Sequence, residues 1–343
     1  MMESKGRRNS WHARLLSSRE FAPLLSLVLI FALFALIAPR FTMFWNIKIL
    51  CKQAAINGIL AISLFLVVLT GGIDVSIGAN LALQCVIVGH LVDWNVPVPL
   101  IVVIVIATGA MIGFLMGLLV TKINLPDLIV TLAAQNLIRG VALMFCQKSY
   151  NFFPDFIVTL GSGVIADTVP VAFVVFMAMA VLMWIFLTKT RPGRNVYAIG
   201  GSRDAARLCG IGDGKVKRTA YTLSGALVSV AALLYCGMYK SVLASKIGSD
   251  TINTLLAIVL LGGTSIAGGY GSIGGVLIGT AIMTVINNGM ILAKAADYWI
   301  TAITGLLILG SLVIQYMQGR VNVRKACSTK RIGIAGGGAN AEK

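Results

Sequence analysis

Polar side chains inside long apolar runs are the residues of this chain that are best suited to bind a solute. Asp74 follows the glycine pair Gly71-Gly72 and has long apolar stretches on both sides. Uncharged amides lie in similar surroundings and suit a hydroxyl-rich ligand, which offers donors and acceptors without charge. Hydrogen bonding between helices is the alternative use of these amides. The predicted solute pathway or gate consists of Asp74, Ser76, Asn80, Gln84, Gln135, Asn136, Asn287 and Asn288.

Two roles are open for Asp74. A carboxylate inside a membrane normally faces a cavity or a partner, which favours a place in the solute pathway. Asp is also a preferred helix N-cap residue, and the N–H groups of Ser76 and Ile77 would then hold its carboxylate.

Two glycine-rich stretches interrupt the apolar runs, and each contains a Gly-Gly pair followed by Ser-Ile-Gly. Backbone that leaves a helix inside a membrane must be buried in protein or face a cavity. Transporters place such breaks near their substrate pathways. Close helix packing through small residues is the alternative explanation. The predicted broken-helix positions are Gly71, Gly72, Gly268 and Gly269.

Several kinds of chemistry have no basis in the sequence. The chain has two histidines and six cysteines, and no two cysteines have the close spacing of a metal-binding pair. We therefore predict no metal site and no catalytic residue. No G-x-x-x-x-G-K-[ST] motif is present, so the chain has no phosphate-binding loop for ATP. Proton- or sodium-coupled pumps usually carry a series of intramembrane acids, which this chain lacks. We expect a transport subunit without a cofactor that takes its energy from a partner.

The composition indicates which elements must position these residues. Of 343 residues, 58% are hydrophobic and only 12% are charged, whereas a soluble domain is about 25% charged. This excludes a cytosolic enzyme, a disordered protein and a disulfide scaffold, and predicts an all-α polytopic membrane protein. A membrane span needs roughly 20 residues, and ten apolar runs are candidates, of which 251–262 is short. They cover 21–38, 54–70, 75–91, 97–120, 127–146, 169–187, 219–239, 251–262, 273–292 and 299–316.

The basic residues predict the orientation. Nineteen of the 28 Lys and Arg residues lie in 1–20, in 189–218 or after 317. Cytoplasmic segments hold such excesses, so both termini and 189–218 are expected in the cytoplasm. Ten spans satisfy all three clusters, and eight would if one pair were re-entrant. No basic stretch is interleaved with aromatics, so nucleic-acid binding is not expected. The predicted domains are a basic N-terminus at 1–20, a permease domain at 21–317 and a disordered tail at 318–343.

The segment 189–218 contains a predicted short helix over 202–209. Ser202 is its expected N-cap, Asp204 lies in the first turn, and Gly210 marks its end. A partner that supplies energy needs a docking surface, and this segment is the candidate.

Four blocks resemble the permease subunits of bacterial sugar ABC importers, the ribose/xylose/arabinose/galactoside branch. They are TGGIDVSIGANLAL (70–83), LPDLIVTLAAQNLIRGVAL (125–143), TRPGRNVYAIGGSRDAARLCGI (190–211) and AIVLLGGTSIAGGYGSIGGVLIGTAIMTVINNGM (257–290). The match runs from about residue 20 to 317. One departure is Pro126-Asp127, where many relatives have a Pro-aromatic or Pro-Ala pair, and it leaves a role for Asp127 in gating open.

The resemblance implies a fold of about ten transmembrane helices like that of the vitamin-B12-type importers, in the bacterial inner membrane. The implied partners are a second permease copy or a related permease, a cytoplasmic ATP-binding subunit with fused nucleotide-binding domains, and a periplasmic sugar-binding protein. A short cytoplasmic helix of such permeases docks on the ATPase. The matching residues here are Tyr197, Gly200, Asp204, Arg207, Leu208, Gly210 and Ile211.

Two other classes of function remain as alternatives. An ATP-independent channel or secondary carrier for a polar neutral solute would need no docking segment. A membrane enzyme acting on lipids would need clustered acids or histidines at the interface, and Asp93, Asp155 and Asp167 are scattered. The resemblance does not select among pentoses, hexoses, polyols and autoinducer-2.

Overall fold

The computed structural model describes residues 21–123, 125–146, 149–296, 298–313 and 316–317. The predicted basic N-terminus at 1–20 and the predicted tail at 318–343 lie outside the described residues. The helices within them are α1 Phe21–Ile37, α2 Phe44–Leu69, α3 Ile77–Asp93, α4 Val98–Lys122, α5 Asp127–Phe145, α6 Asp155–Ser162, α7 Val171–Lys189, α8 Arg191–Gly201, α9 Arg203–Leu208, α10 Asp213–Tyr239, α11 Thr251–Leu261, α12 Ile273–Leu292 and α13 Tyr298–Val313.

Each of the predicted apolar runs contains a helix. Among the described residues, six helices (α2, α4, α5, α7, α10 and α12) are long and apolar enough to cross a membrane. The apolar helices α1, α3, α11 and α13 are shorter. The chain is therefore a helical, multi-pass membrane protein.

Helix α2 begins at Phe44, well before the predicted start at 54, because its polar first turns have partners. The Asn46 amide donates to the Phe41 carbonyl at 2.9 Å. The Lys52 ammonium donates to the Ser162 carbonyl at 2.7 Å. A prediction from hydropathy leaves Asn46 and Lys52 out of the membrane helix because they are polar. A membrane helix nevertheless tolerates polar side chains that are hydrogen-bonded within the protein.

The core is built around α2 and α10. Every residue of α2 from Gly58 to Leu69 is buried, and α2 packs against α10, α7, α12 and α11. Helix α10 packs most extensively against α4. The α4 face in this contact has a glycine at every fourth position, Gly109, Gly113 and Gly117, so the two backbones approach closely. The Ser229 hydroxyl of α10 donates to the Val105 carbonyl of α4 at 2.7 Å.

The segment between α5 and α7 contains secondary structure of its own. It contains α6 and a short antiparallel ribbon of β1 (Val164–Ile165) and β2 (Val169–Pro170). Tyr150, before α6, forms a β-bridge with Val242 in the irregular segment between α10 and α11. This ribbon and bridge are small departures from the all-α prediction.

Candidate functional site

Helix α8 lies across one end of the helix bundle, where it packs against the last turns of α7. The Thr190 hydroxyl accepts a hydrogen bond from the Gly193 N–H at 3.2 Å, which caps the first turn. Gly193, Val196 and Ile199 are its buried residues, and their spacing places them on one face. The remainder of α8 is exposed or half-buried, so this helix covers the bundle instead of entering it.

The C-terminal turn of α8 rests on both predicted broken-helix stretches. A Cβ atom at Gly200 would clash with the Leu69 carbonyl oxygen and with the Gly269 nitrogen. The Tyr197 hydroxyl donates to the Gly271 carbonyl at 3.1 Å. Burial raises the pKa of the Tyr197 phenol above its ordinary value.

The two broken-helix stretches also contact each other. The Gly269 N–H donates to the Leu69 carbonyl at 2.9 Å. A Cβ atom at Gly268 would lie 2.7 Å from the Gly71 nitrogen. Gly71 has φ +76° and Gly268 has φ +91°, which L side chains rarely adopt. We call this contact among 69–72, 200–201 and 268–271 the glycine junction.

Helix α9 follows the glycine junction and has the predicted start and stop. The Ser202 hydroxyl accepts from the Ala205 N–H at 3.3 Å. Gly210 has φ +75°, and the Ile211 N–H donates to the Ala206 carbonyl at 3.0 Å. The predicted capped helix over 202–209 is thus confirmed within one residue at its ends.

The surface of α9 is open. Ala206 is its buried residue, whereas the Leu208 side chain is 90% exposed. The Arg207 guanidinium forms an exposed ion pair with Asp213, at 3.3 Å, in the first turn of α10. A short capped helix with a protruding apolar side chain is suited to insert into a groove of another protein.

Asp74 and Ser76 form a compact turn before α3, and Ser76 occupies the N-cap position of that helix. The Ser76 N–H donates to the Asp74 carboxylate at 2.9 Å, and the Ser76 hydroxyl donates to the same oxygen at 2.6 Å. Both side chains are buried. The Thr131 hydroxyl of α5 donates to the Ile73 carbonyl at 3.1 Å, so α5 also holds this break. The N-cap of α3 is therefore Ser76, two residues after the predicted position. The Asp74 carboxylate holds the turn in front of the helix, and a role in the solute pathway stays a prediction.

The structure does not bring the six predicted amides into one cluster. On α3, the Gln84 amide lies 3.2 Å from Asn80 Oδ1 and 2.9 Å from the Thr108 hydroxyl of α4. On α12, Asn288 Oδ1 accepts from the Asn46 amide of α2 at 2.9 Å.

The remaining amides differ in exposure. Asn287 Oδ1 is buried without a hydrogen-bond partner among the described residues. On α5, Gln135 is half-buried and Asn136 is exposed.

Two polar features escape prediction from the sequence. The Arg139 guanidinium of α5 donates to the carbonyls of Ala244, at 2.9 Å, and Ile247. It therefore satisfies backbone oxygens of the irregular segment before α11. Asp127 and Lys217 form a buried ion pair. These partners are 90 or more positions apart in the chain, and no pattern in the sequence joins them.

The described part of the chain contains no group of three His, Cys, Asp or Glu side chains positioned to hold a metal ion. The glycine junction itself is held by carbonyls, N–H groups and the Tyr197 hydroxyl.

The family model described as "Branched-chain amino acid transport system / permease component" matches residues 46–312. The ribose import permease protein RbsC of Escherichia coli (strain K12) is 32% identical over 299 residues, covering 85% of this chain and 92% of that protein. RbsC of Bacillus subtilis (strain 168) is 33% identical over 304 residues, covering 86% and 92%.

The autoinducer 2 import system permease protein LsrC of Photorhabdus luminescens is 28% identical over 298 residues, covering 87% of this chain and 89% of that protein. No solved structure matches the chain. The resemblance to sugar-importer permeases is confirmed by these matches. With a matched region from α2 to α13 that includes the whole glycine junction, the chain belongs to this family of transport-system permease components.

Proposed function

We propose that the chain is the membrane-spanning subunit of an ATP-binding-cassette importer. It would move a monosaccharide or sugar-like solute into the cytoplasm by alternating access, driven by partner ATPases that bind the ATP. The observation that carries this proposal is the glycine junction, in which one exposed helical segment rests on both helix breaks. A force applied to α9 would be transmitted through α8 to two segments inside the bundle.

The proposed docking surface consists of α9 and the adjoining turn of α8. Leu208 is its apolar protrusion, and Asp204 and Arg207 are exposed beside it. Tyr197 and Gly200 face the bundle and anchor the segment to the junction. Gly210 and Ile211 end α9 and lead into α10. An ATPase with fused nucleotide-binding domains would provide two grooves, one for each of two permease copies.

The proposed solute pathway follows the exposed face of α5. Val130, Thr131, Ala134, Ile138 and Ala142 form the buried face of this helix. Asn136 lies on the other side and is exposed. Hydrocarbon cannot bond an amide, so this side of α5 would face water or a second permease copy. Asn80, Gln84, Asn287 and Asn288 would support the pathway from within the bundle.

The proposed topology has about ten spans with both termini in the cytoplasm. It combines the six long helices with α1, α3, α11 and α13, the four shorter ones. The fold would resemble the vitamin-B12-type importers. With this orientation, α8, α9 and the glycine junction lie on the cytoplasmic side, and α6 faces the periplasm, where a sugar-binding protein would deliver the solute.

The solute class is proposed from the relatives and from the neutral amides. The names of the relatives specify ribose and autoinducer 2, and both are small polyhydroxylated molecules. Uptake of a panel of radiolabelled pentoses, hexoses, polyols and autoinducer 2 should therefore be measured in a strain that lacks this permease.

The decisive test is whether uptake depends on the docking surface and on ATP. Deletion of 204–210, or Arg207→Ala, should abolish uptake while the protein still inserts in the membrane. Arg40→Ala is the matched control, because Arg40 is an exposed arginine in the turn between α1 and α2. Uptake that persists after ATP depletion, and in the deletion variant, would instead identify a channel or secondary carrier.

A further inference from the structure

The ion pair between Asp127 and Lys217 is the buried pair of opposite charges in the described part of the chain. The Lys217 ammonium lies 2.9 Å from both carboxylate oxygens of Asp127. The Lys217 side chain is 5% exposed and the Asp127 side chain is 14% exposed. The Tyr221 hydroxyl, one turn further along α10, lies 3.5 Å from Asp127 Oδ2.

The carboxylate of this pair also contacts the first helix break. A Cβ atom at Gly72 would clash with Asp127 Oδ2, so the absence of a side chain at Gly72 creates the space for the carboxylate. Asp127 is the first residue of α5, and Thr131 of the same helix donates to the Ile73 carbonyl. The pair therefore joins α10 to α5 at the point where α5 holds the first break.

The other member of the pair lies close to the proposed docking surface. Helix α10 begins at Asp213, two residues after Ile211, and Asp213 is paired with Arg207 of α9. Lys217 follows one turn later. At 27 residues, α10 is a rod about 40 Å long. Displacement of α9 would therefore move the first turns of α10 and Lys217 with them.

We propose that Asp127 and Lys217 are positioning residues that transmit motion of the docking surface to the first helix break. Resting on the proposed function, this assigns the pair a coupling role and no contact with solute. The pair stays closed throughout the cycle and keeps Gly72 and Ile73 attached to α10. Without it, α8 would still contact Leu69 through the glycine junction, but Gly72 and Ile73 would no longer be held to α10 and would follow the docking surface less closely.

The test uses the complete transporter, permease with ATPase and binding protein, in liposomes, and measures solute transported per ATP hydrolysed. Asp127→Asn and Lys217→Met should each lower this ratio roughly ten-fold, near the upper range of single-site effects on coupling, while ATP hydrolysis stays within about two-fold of the unmodified complex. Lys215→Met is the matched control, because it removes an exposed lysine from the same turn and should leave the ratio unchanged.

A covalent replacement separates coupling from simple stabilisation. In Asp127→Cys/Lys217→Cys, in a Cys209→Ser background, the ratio should be low while the thiols are free and should recover when a short bifunctional thiol reagent bridges them. Arrest of transport by the bridge would overturn the proposal, because it would show that the pair must open. An unchanged ratio in both single variants would overturn it too.

If the single variants do not assemble with the ATPase, the ratio of solute transported to ATP hydrolysed in the bridged double-cysteine variant decides the question. If the unmodified complex shows no ATP-dependent transport, the proposed function fails, whereas a failure confined to these variants concerns the ion pair alone.

Discussion

At the scale of single residues, the glycine junction depends on side-chain volume. Gly200 and Gly201 are neighbours in α8. A Cβ atom at Gly200 would clash with three backbone atoms, whereas a Cβ atom at Gly201 would have no atom within 4 Å. Gly200→Ala should therefore displace the C-terminal turn of α8 and lower stability by about 1–3 kcal/mol, the usual cost of overpacking.

Gly201→Ala is the control for this substitution and should leave the apparent melting midpoint and uptake near those of the unmodified protein. The measurement is thermal unfolding in detergent together with uptake in cells. Equal behaviour of the two variants would contradict the close contact at the junction.

The two roles of Asp74 make different predictions. If the carboxylate serves as a cap, Asp74→Asn should retain uptake within a few-fold, because its amide oxygen still accepts from the Ser76 N–H and hydroxyl. Asp74→Ala removes the acceptor and should cost about 1 kcal/mol, as other cap deletions do. Loss of uptake in Asp74→Asn with an unchanged melting midpoint would assign the negative charge to the pathway instead. Uptake and melting should be measured on both variants.

At the scale of elements, the contact between α4 and α10 is held by backbone proximity. A Cβ atom at Gly113 would clash with the Tyr221 carbonyl oxygen. Gly113→Ala should therefore push the helices apart and lower stability by about 1–3 kcal/mol. Met111→Ala, at an exposed position of the same helix, should have a much smaller effect. Comparable losses of the melting midpoint in both variants would argue against tight α4–α10 packing.

The positions of the helices can be predicted from this sequence, but the contacts between helices cannot. The long apolar runs predict the membrane helices, and Ser202 with Gly210 predicts α9, because each signal is local in the chain. The ends of α2 and α10 differ from prediction because Asn46 and Lys217 are polar residues whose partners lie far away in sequence. The same reason hides Arg139 and its carbonyl acceptors. Local chemistry indicates that Gly268 must break a helix, but only the folded chain shows that Gly268 meets Gly71.

At the scale of the whole molecule, the face of α5 that carries Asn136 predicts how copies assemble. In a Cys209→Ser background, Asn136→Cys should form cross-linked dimers in membranes with a short thiol reagent. Leu182→Cys, on an exposed face of α7, should remain monomeric and serves as the control. The readout is the band of doubled mass under non-reducing conditions. Cross-linking through position 182 alone would place the second copy against α7.

The amides predicted for the solute pathway depend on how each helix is rotated within the bundle. Asn80, Gln84 and Asn288 all satisfy the rule that buried polar groups find partners. Asn80 is bonded to Gln84 of the same helix, whereas Gln84 and Asn288 are also bonded to neighbouring helices. A sequence records which residues are polar within a span without recording which way each helix faces. That rotation follows from packing, for example from the glycine face of α4, and it decides whether an amide meets solute or protein.

The glycine junction consists almost entirely of main-chain atoms, which affects how the solute specificity of such a protein can change in evolution. Contacts between carbonyls, N–H groups and α-carbons do not depend on which side chains the rest of the chain carries. Residues along the membrane helices can therefore be substituted to suit a different solute without changing the glycine junction, which receives the motion of α8. The same close backbone contact makes Gly200, Gly268 and Gly269 intolerant of an added side chain. Natural variation should therefore be abundant along the helices and scarce at these three glycines. The protein is therefore modular: the membrane helices can vary in sequence, whereas the glycine junction is fixed.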